Sequence, residues 1–90
     1  VVIEREVEIV NRLGLHARAA AKLVHVTGRF QSLVTLEMDG ERVDAKSILG
    51  VLLLAAAYGS KVRLRCEGDD EAAAMEAVCG LIADRFEEGE

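Results

Sequence analysis

The first ten residues, VVIEREVEIV, alternate in character: Ile3, Val7 and Ile9 share one face, while Glu4, Glu6 and Glu8 take the other. Such alternation predicts a half-buried strand. The stretch NRLG breaks it, and from Ala17 to Thr27 the period changes. Ala20, Leu23, Val24 and Thr27 recur at i, i+3, i+4 and i+7, predicting an amphipathic helix that Gly28 ends. Next, SLVTLEM and ERVDA flank Asp39-Gly40, a dipeptide suited to a two-residue hairpin turn. Val34, Leu36 and Met38 face the core from the first arm, and Val43 and Ala45 from the second. Ser47 is placed as the N-cap of a short apolar helix, and Tyr58-Gly59-Ser60 closes that region. KVRLRC alternates again, with Val62, Leu64 and Cys66 inward. Gly68 supplies a turn, and Asp69, Asp70 and Glu71 put negative charge at the start of a last helix, where the helix dipole favours it. Its buried stripe is Ala74, Val78, Leu81 and Ile82.

The predicted order is therefore β-α-β-β-α-β-α. Strands that are apolar on one side must bury that side, so the pattern implies an α+β fold: an open-faced sandwich of one four-stranded antiparallel sheet with three helices on one face. With no proline, repeat or linker among 90 residues, the chain reads as a single domain over 1–90.

Composition narrows the function. Half of the residues are apolar, but only Phe30, Tyr58 and Phe86 are aromatic, which argues against base-stacking nucleic-acid modules. A formal net charge of −5 argues against general affinity for nucleic acid or anionic lipid. The longest apolar run, Val51 to Ala57, falls far short of the roughly 18 residues that mark a membrane span, and no signal peptide is evident, so a cytoplasmic location is expected. Cys66 and Cys79 lack metal-ligand spacing and are expected to be buried free thiols.

One residue does not fit a merely structural chain. In LGLHARAAAKLV, residues 13–24, His16 stands where the helix starting at Ala17 needs an N-cap. The first-turn amides of Ala17, Arg18 and Ala19 are unpaired donors there, and with the positive end of the helix dipole they form an anion site. Imidazole is a poor replacement for the usual Ser, Thr, Asp or Asn cap. Arg18 can turn its guanidinium to the same volume and hold phosphate oxygens in bidentate fashion, and Gly14 lets the incoming loop approach closely. Imidazole is also a nucleophile near neutral pH without an added base. Three readings stand on the residues alone: phosphoryl acceptance on a ring nitrogen, an ordinary surface histidine, and a metal ligand, the last lacking any local second ligand. No cofactor or metal is expected.

The segment NRLGLHARAAAKL resembles the active-site segment of the HPr family of phosphocarrier proteins, and especially its nitrogen-related branch, in which G-[LM]-H-A-R-P-A is typical. The likeness runs through the element order, the glycine after the first helix, AKSILGVLLL and the closing acidic helix. It implies the βαββαβα sandwich, and that His16 takes a phosphoryl group on Nδ1 from enzyme I and passes it to an enzyme IIA domain, with Arg18 steadying the phosphate. Ala19 departs from the family's usual proline, which implies a less rigid first turn with the chemistry kept. KSILGV leans toward the sugar-transport branch, while the HAR tripeptide and acidic ending lean toward the nitrogen-related one.

Ser47 is fully explained as an N-cap, yet the resemblance also implies a serine modified by HPr kinase/phosphorylase, which would add negative charge beside the docking surface. Ile48, Leu49, Val51, Leu52, Leu53 and Leu54 surround a short helix and cannot all face the sheet. Val51 and Leu54 are expected in the core. Ile48, Leu49 and Leu52 are expected on a partner-docking face that Ala20 and Lys22 border, serving small, transient contacts of a monomer. His25 is expected to be solvent-exposed, and Asp84, Glu87, Glu88 and Glu90 to be a solvated helix end and disordered tail. The rival class is a regulatory module docking through the same two helices without carrying phosphate; a small-molecule sensor would need a real pocket.

Overall fold

A computed structural model describes residues 1–89. Its elements are β1 (Val2–Glu8), α1 (Ala17–Thr27), β2 (Leu33–Met38), β3 (Glu41–Asp44), α2 (Ile48–Leu54), β4 (Lys61–Glu67) and α3 (Glu71–Ala83), followed by a 3₁₀ turn at Arg85–Glu87. The strands form one antiparallel sheet in the order β1-β4-β2-β3, so the last strand inserts between the first and second. α3 packs on β1 and β4, α2 on β3 and β2, and α1 packs against both other helices. This is the open-faced α+β sandwich that the alternating strands imply.

The two sheet faces differ as their sequences dictate. Ile3, Val34, Leu36, Val62, Leu64 and Cys66 turn inward, all but Ile3 fully buried. On the open face, Glu4, Glu6 and Glu8 of β1 stand opposite Arg65, Arg63 and Lys61 of β4. Arg63 and Arg65 both pair with Glu4, and Arg42 of β3 pairs with Glu37 of β2. Exposed pairs of this kind contribute only about 0–1 kcal/mol each, but they keep the uncovered face polar.

Most of the expected helix stripes are buried, with one exchange in each. On α1 the buried stripe is Ala19, Ala20, Leu23 and Thr27, with Val24 only partly buried, because the helix is wedged between α2 and α3 on its alanine side. Thr27 belongs in that stripe through its hydroxyl, which donates to the Ala45 carbonyl at 2.9 Å. Gly28 ends the helix in right-handed geometry, φ −65°, rather than the left-handed geometry usual for a terminal glycine; Ala55 takes the left-handed position after α2. On α3, Met75 joins Ala74, Val78 and Ile82 in the core, while Leu81 is half-buried.

The start of α3 is tied to the start of β2. The Asp70 carboxylate makes no cap bond to its own helix; it accepts from the Gln31 and Ser32 amides, each at 2.9 Å, and from the Ser32 hydroxyl. Glu71 takes over at the helix mouth, accepting from the Gly68 amide at 3.0 Å. Both cysteines are free; Cys66 is buried, which pushes its thiol up to about 11, whereas Cys79 is only half-buried.

Candidate functional site

The loop from Ile9 to His16 is built on one glycine. Gly14 adopts φ +69°, and a Cβ there would lie 2.7 Å from the Ala56 carbonyl oxygen. This close approach lets the Leu15 amide donate to that same carbonyl at 2.9 Å and buries the Leu15 side chain. His16 is thereby delivered to the N-cap of α1 in extended backbone geometry, φ −78° and ψ 179°. Its carbonyl accepts the first helical bond, from the Ala20 amide at 2.8 Å.

The imidazole is the cap. Nδ1 accepts from the Arg18 amide at 3.3 Å, a long bond that holds the lone pair loosely at the helix mouth. On the other side of the ring, Nε2 lies 2.5 Å from Glu88 Oε2. Burial alone would push the Glu88 carboxyl up; hydrogen bonds from His16 and Asn11, then the charges of His16 and Lys22, outweigh it and hold the group below the usual carboxylate range. An ionised carboxylate only accepts, so Nε2 carries the proton and Nδ1 the lone pair. The ring is partly open, at 28% side-chain exposure, against 11% for Glu88.

Around the ring lies a depression of about 590 Å³ whose walls carry Arg12, Arg18 and Lys22. The Arg18 guanidinium is exposed and makes no ion pair among the described residues. The imidazole, the Ala17 and Arg18 backbone and three cationic side chains thus line one volume with the carboxylates of Glu87 and Glu88; of the amides expected to be unpaired, that of Arg18 is taken by the ring, and buried Ala19 does not line the depression. Among the described residues, no group of three or more His, Cys, Asp or Glu side chains is placed to hold a metal ion. Ala19 is fully buried in the first turn.

The sequence reading was incomplete at this site. Glu88 is no solvated tail residue: the turn after α3 folds it back onto His16. Asn11 interrupts the strand pattern and carries no local sign of a site, yet it is fully buried and donates to the Gly14 carbonyl at 2.7 Å and to Glu88 Oε1 at 3.1 Å. Asp84 and Glu87 are exposed as expected, and Glu90 lies outside the described residues. Lys22 is drawn into the same turn, donating to the Phe86 carbonyl at 2.8 Å and lying 3.7 Å from Glu87.

Some of the apolar side chains expected at the surface of α2 are exposed, with two changes. Ile48 and Leu49 are exposed, at 45% and 65%. Leu52 is half-buried, and Leu53, facing outward at 65%, stands in its place. Ala20 is fully buried against the core and cannot border a docking surface, because the helix turns its alanine side inward. Leu13, in the loop beside His16, adds a further exposed apolar side chain at 69%. His25 is exposed. Ser47 is the N-cap of α2, its hydroxyl oxygen accepting from the Gly50 amide at 3.1 Å.

The open-faced sandwich with one imidazole capping a helix in a depression of charged side chains fits one class, the histidine-centred phosphocarrier domains. Residues 3–84 match the family model described as the PTS HPr component phosphorylation site. The chain is 53% identical over 89 residues to the phosphocarrier protein HPr of Cupriavidus necator, covering 99% of this chain and 100% of that one. It is 51% identical over 87 residues to the HPr of Xylella fastidiosa, covering 97% and 98%. The crystal structure of HPr-C-His from Thermoanaerobacter tengcongensis superposes with a TM-score of 0.92 at 43% identity, covering 96% of this chain and 97% of that one. The chain belongs to the HPr family of phosphocarrier proteins, which are carriers rather than catalysts. No helix among the described residues is long and apolar enough to cross a membrane.

Proposed function

We propose that the chain is the phosphoryl relay of a phosphoenolpyruvate-dependent phosphotransferase system. His16 takes the phosphoryl group from phosphorylated enzyme I and hands it to the histidine of an enzyme IIA domain. The observation that carries this reading is the ring's orientation: Nδ1 points its lone pair at the mouth of α1, 3.3 Å from the Arg18 amide, and Nε2 holds the proton. An incoming phosphorus would be attacked by the Nδ1 lone pair at the rim of the depression, and the amide that now donates to the ring could turn to a phosphoryl oxygen. Arg18 supplies a mobile cation for the same oxygens. Partners bind on the exposed Leu13, in the loop before His16, and on Ile48, Leu49 and Leu53 of α2, and their own geometry supplies the in-line approach. A module that only docks has no use for a nucleophile held this way.

Incubation with phosphoenolpyruvate and a matching enzyme I should give one acid-labile, base-stable phosphate per chain that vanishes in His16→Ala. A phosphate that persists in that variant would contradict the assignment.

Ser47 is the second proposed site, a serine for HPr kinase/phosphorylase. Phosphate there would add nearly two negative charges at the edge of the apolar docking face and slow transfer at His16.

A further inference from the structure

Beyond α3 the backbone does something costly. Arg85, Phe86 and Glu87, none of them glycine, take consecutive left-handed conformations at φ 56°, 53° and 63°. Left-handed backbone sets Cβ against the following carbonyl, so L-residues visit it singly and seldom in series. Such a turn persists only where its surroundings over-determine it. Two anchors do so: the Phe86 ring is fully buried, and Lys22 of α1 donates to the Phe86 carbonyl. A continued α-helix would instead carry residue 88 about 7.5 Å beyond Ala83 along the α3 axis. The turn brings Glu88 back to the loop that bears His16.

Once there, the carboxylate is fully committed. Oε2 faces His16 Nε2, and Oε1 accepts from Asn11 Nδ2. Asn11 uses the same amide nitrogen to grip the Gly14 carbonyl, two residues before His16. Ring, loop and C-terminal turn therefore share one network, closed by residues more than 70 positions apart in sequence.

We propose that Glu88 is a positioning residue for phosphoryl transfer at His16: it accepts a hydrogen bond from Nε2–H, favours together with the Arg18 amide the tautomer that keeps the lone pair on Nδ1, and faces the positive charge the ring acquires when phosphorylated. The inference rests on His16 being the phosphoacceptor. In the step itself the Nδ1 lone pair becomes the new N–P bond. The bond between phosphorus and the donor's ring nitrogen breaks, and its electron pair returns to that nitrogen. No proton leaves His16; Nε2–H stays in place and the ring gains one positive charge, which the donor ring gives up. Glu88 lies beside that charge, across the ring from the phosphoryl group. In the onward step the same protonated ring is a competent leaving group.

The test has two readouts on the full chain. In ¹⁵N spectra recorded where the rings are neutral, wild-type His16 should be almost wholly the Nε2–H form, whereas exposed His25 shows the mixture of a free imidazole. In Glu88→Ala only the long Arg18 amide bond still favours that form, so the Nε2–H fraction of His16 should fall toward the His25 ratio, and kcat/KM for phosphoryl acceptance from enzyme I should fall by about 10- to 100-fold. Glu88→Gln keeps the shape and an accepting oxygen without the charge; it should fall between the two and guards against loss of the turn in the alanine variant. An unchanged His16 tautomer in Glu88→Ala overturns the proposal, as does an unchanged rate. If wild type takes no phosphate at all, the relay reading fails instead, a result the tautomer spectra of unphosphorylated protein distinguish.

Discussion

Imidazole caps a helix less well than a hydroxyl or carboxylate, and at His16 the chain accepts that cost in exchange for a nucleophile at a helix mouth. The exchange works only because Gly14 holds the loop against Ala56. Gly14→Ala forces an L-residue into left-handed geometry with its Cβ on a backbone carbonyl. It should destabilise the fold by about 1–3 kcal/mol in urea titration and displace His16 from the cap, seen as loss of the His16–Arg18 contact. At this scale the sequence was a good guide wherever chemistry is local. His16, Arg18 and Gly14 lie within five positions, so their meeting at one helix mouth was legible in the spacing. Glu88 and Asn11 left no such signal. A carboxylate in an acidic tail looks solvated, and an asparagine after a strand looks like a turn former, until the fold brings them together.

Helices show what periodicity settles and what it leaves open. The amphipathic faces of α1 and α3 were legible, with one residue exchanged in each: Ala19 is buried rather than Val24, and Met75 rather than Leu81, because periodicity does not say which edge of a stripe is wedged against a neighbouring helix. The short α2 was read correctly at its ends: Val51 and Leu54 point inward, Ile48 and Leu49 outward, and Ser47 caps it. That cap separates two roles of Ser47. Ser47→Ala should cost about 1 kcal/mol, measured by urea unfolding, since the Gly50 amide loses its acceptor. Ser47→Asp keeps a capping oxygen and should stay within a few tenths of a kcal/mol of wild type. If charge at this position governs partner docking, only the aspartate variant slows phosphoryl acceptance from enzyme I; equal rates in both variants would count against the regulatory role.

For the molecule as a whole, two carboxylates tie distant segments: Asp70 clasps the start of β2, and Glu88 clasps the His16 loop. Hydrogen bonds from Ser32 and Gln31 hold Asp70 below its ordinary 3.8, and Glu88 lies below its ordinary 4.5 as described. Groups lowered in the folded state contribute fully above those ordinary values and lose their contribution as pH falls through the folded ones. Stability should therefore be flat from neutral pH down to about 5 and decline below about 4.5, with a shallower decline in Glu88→Ala, as followed by urea midpoints. Alternating strands announced a one-sided sheet and hence the sandwich. The insertion of β4 between β1 and β2 is a matter of long-range pairing, which no local pattern encodes.

The central claim is that His16 Nδ1 carries the phosphoryl group. Combined ³¹P and ¹⁵N spectra of the chain after reaction with phosphoenolpyruvate and enzyme I locate it atom by atom. A relay through His16 should show a single phosphorus bound to Nδ1 of His16, with His25 and Ser47 unmodified; phosphorus on Nε2, on His25, or nowhere in the chain would contradict it.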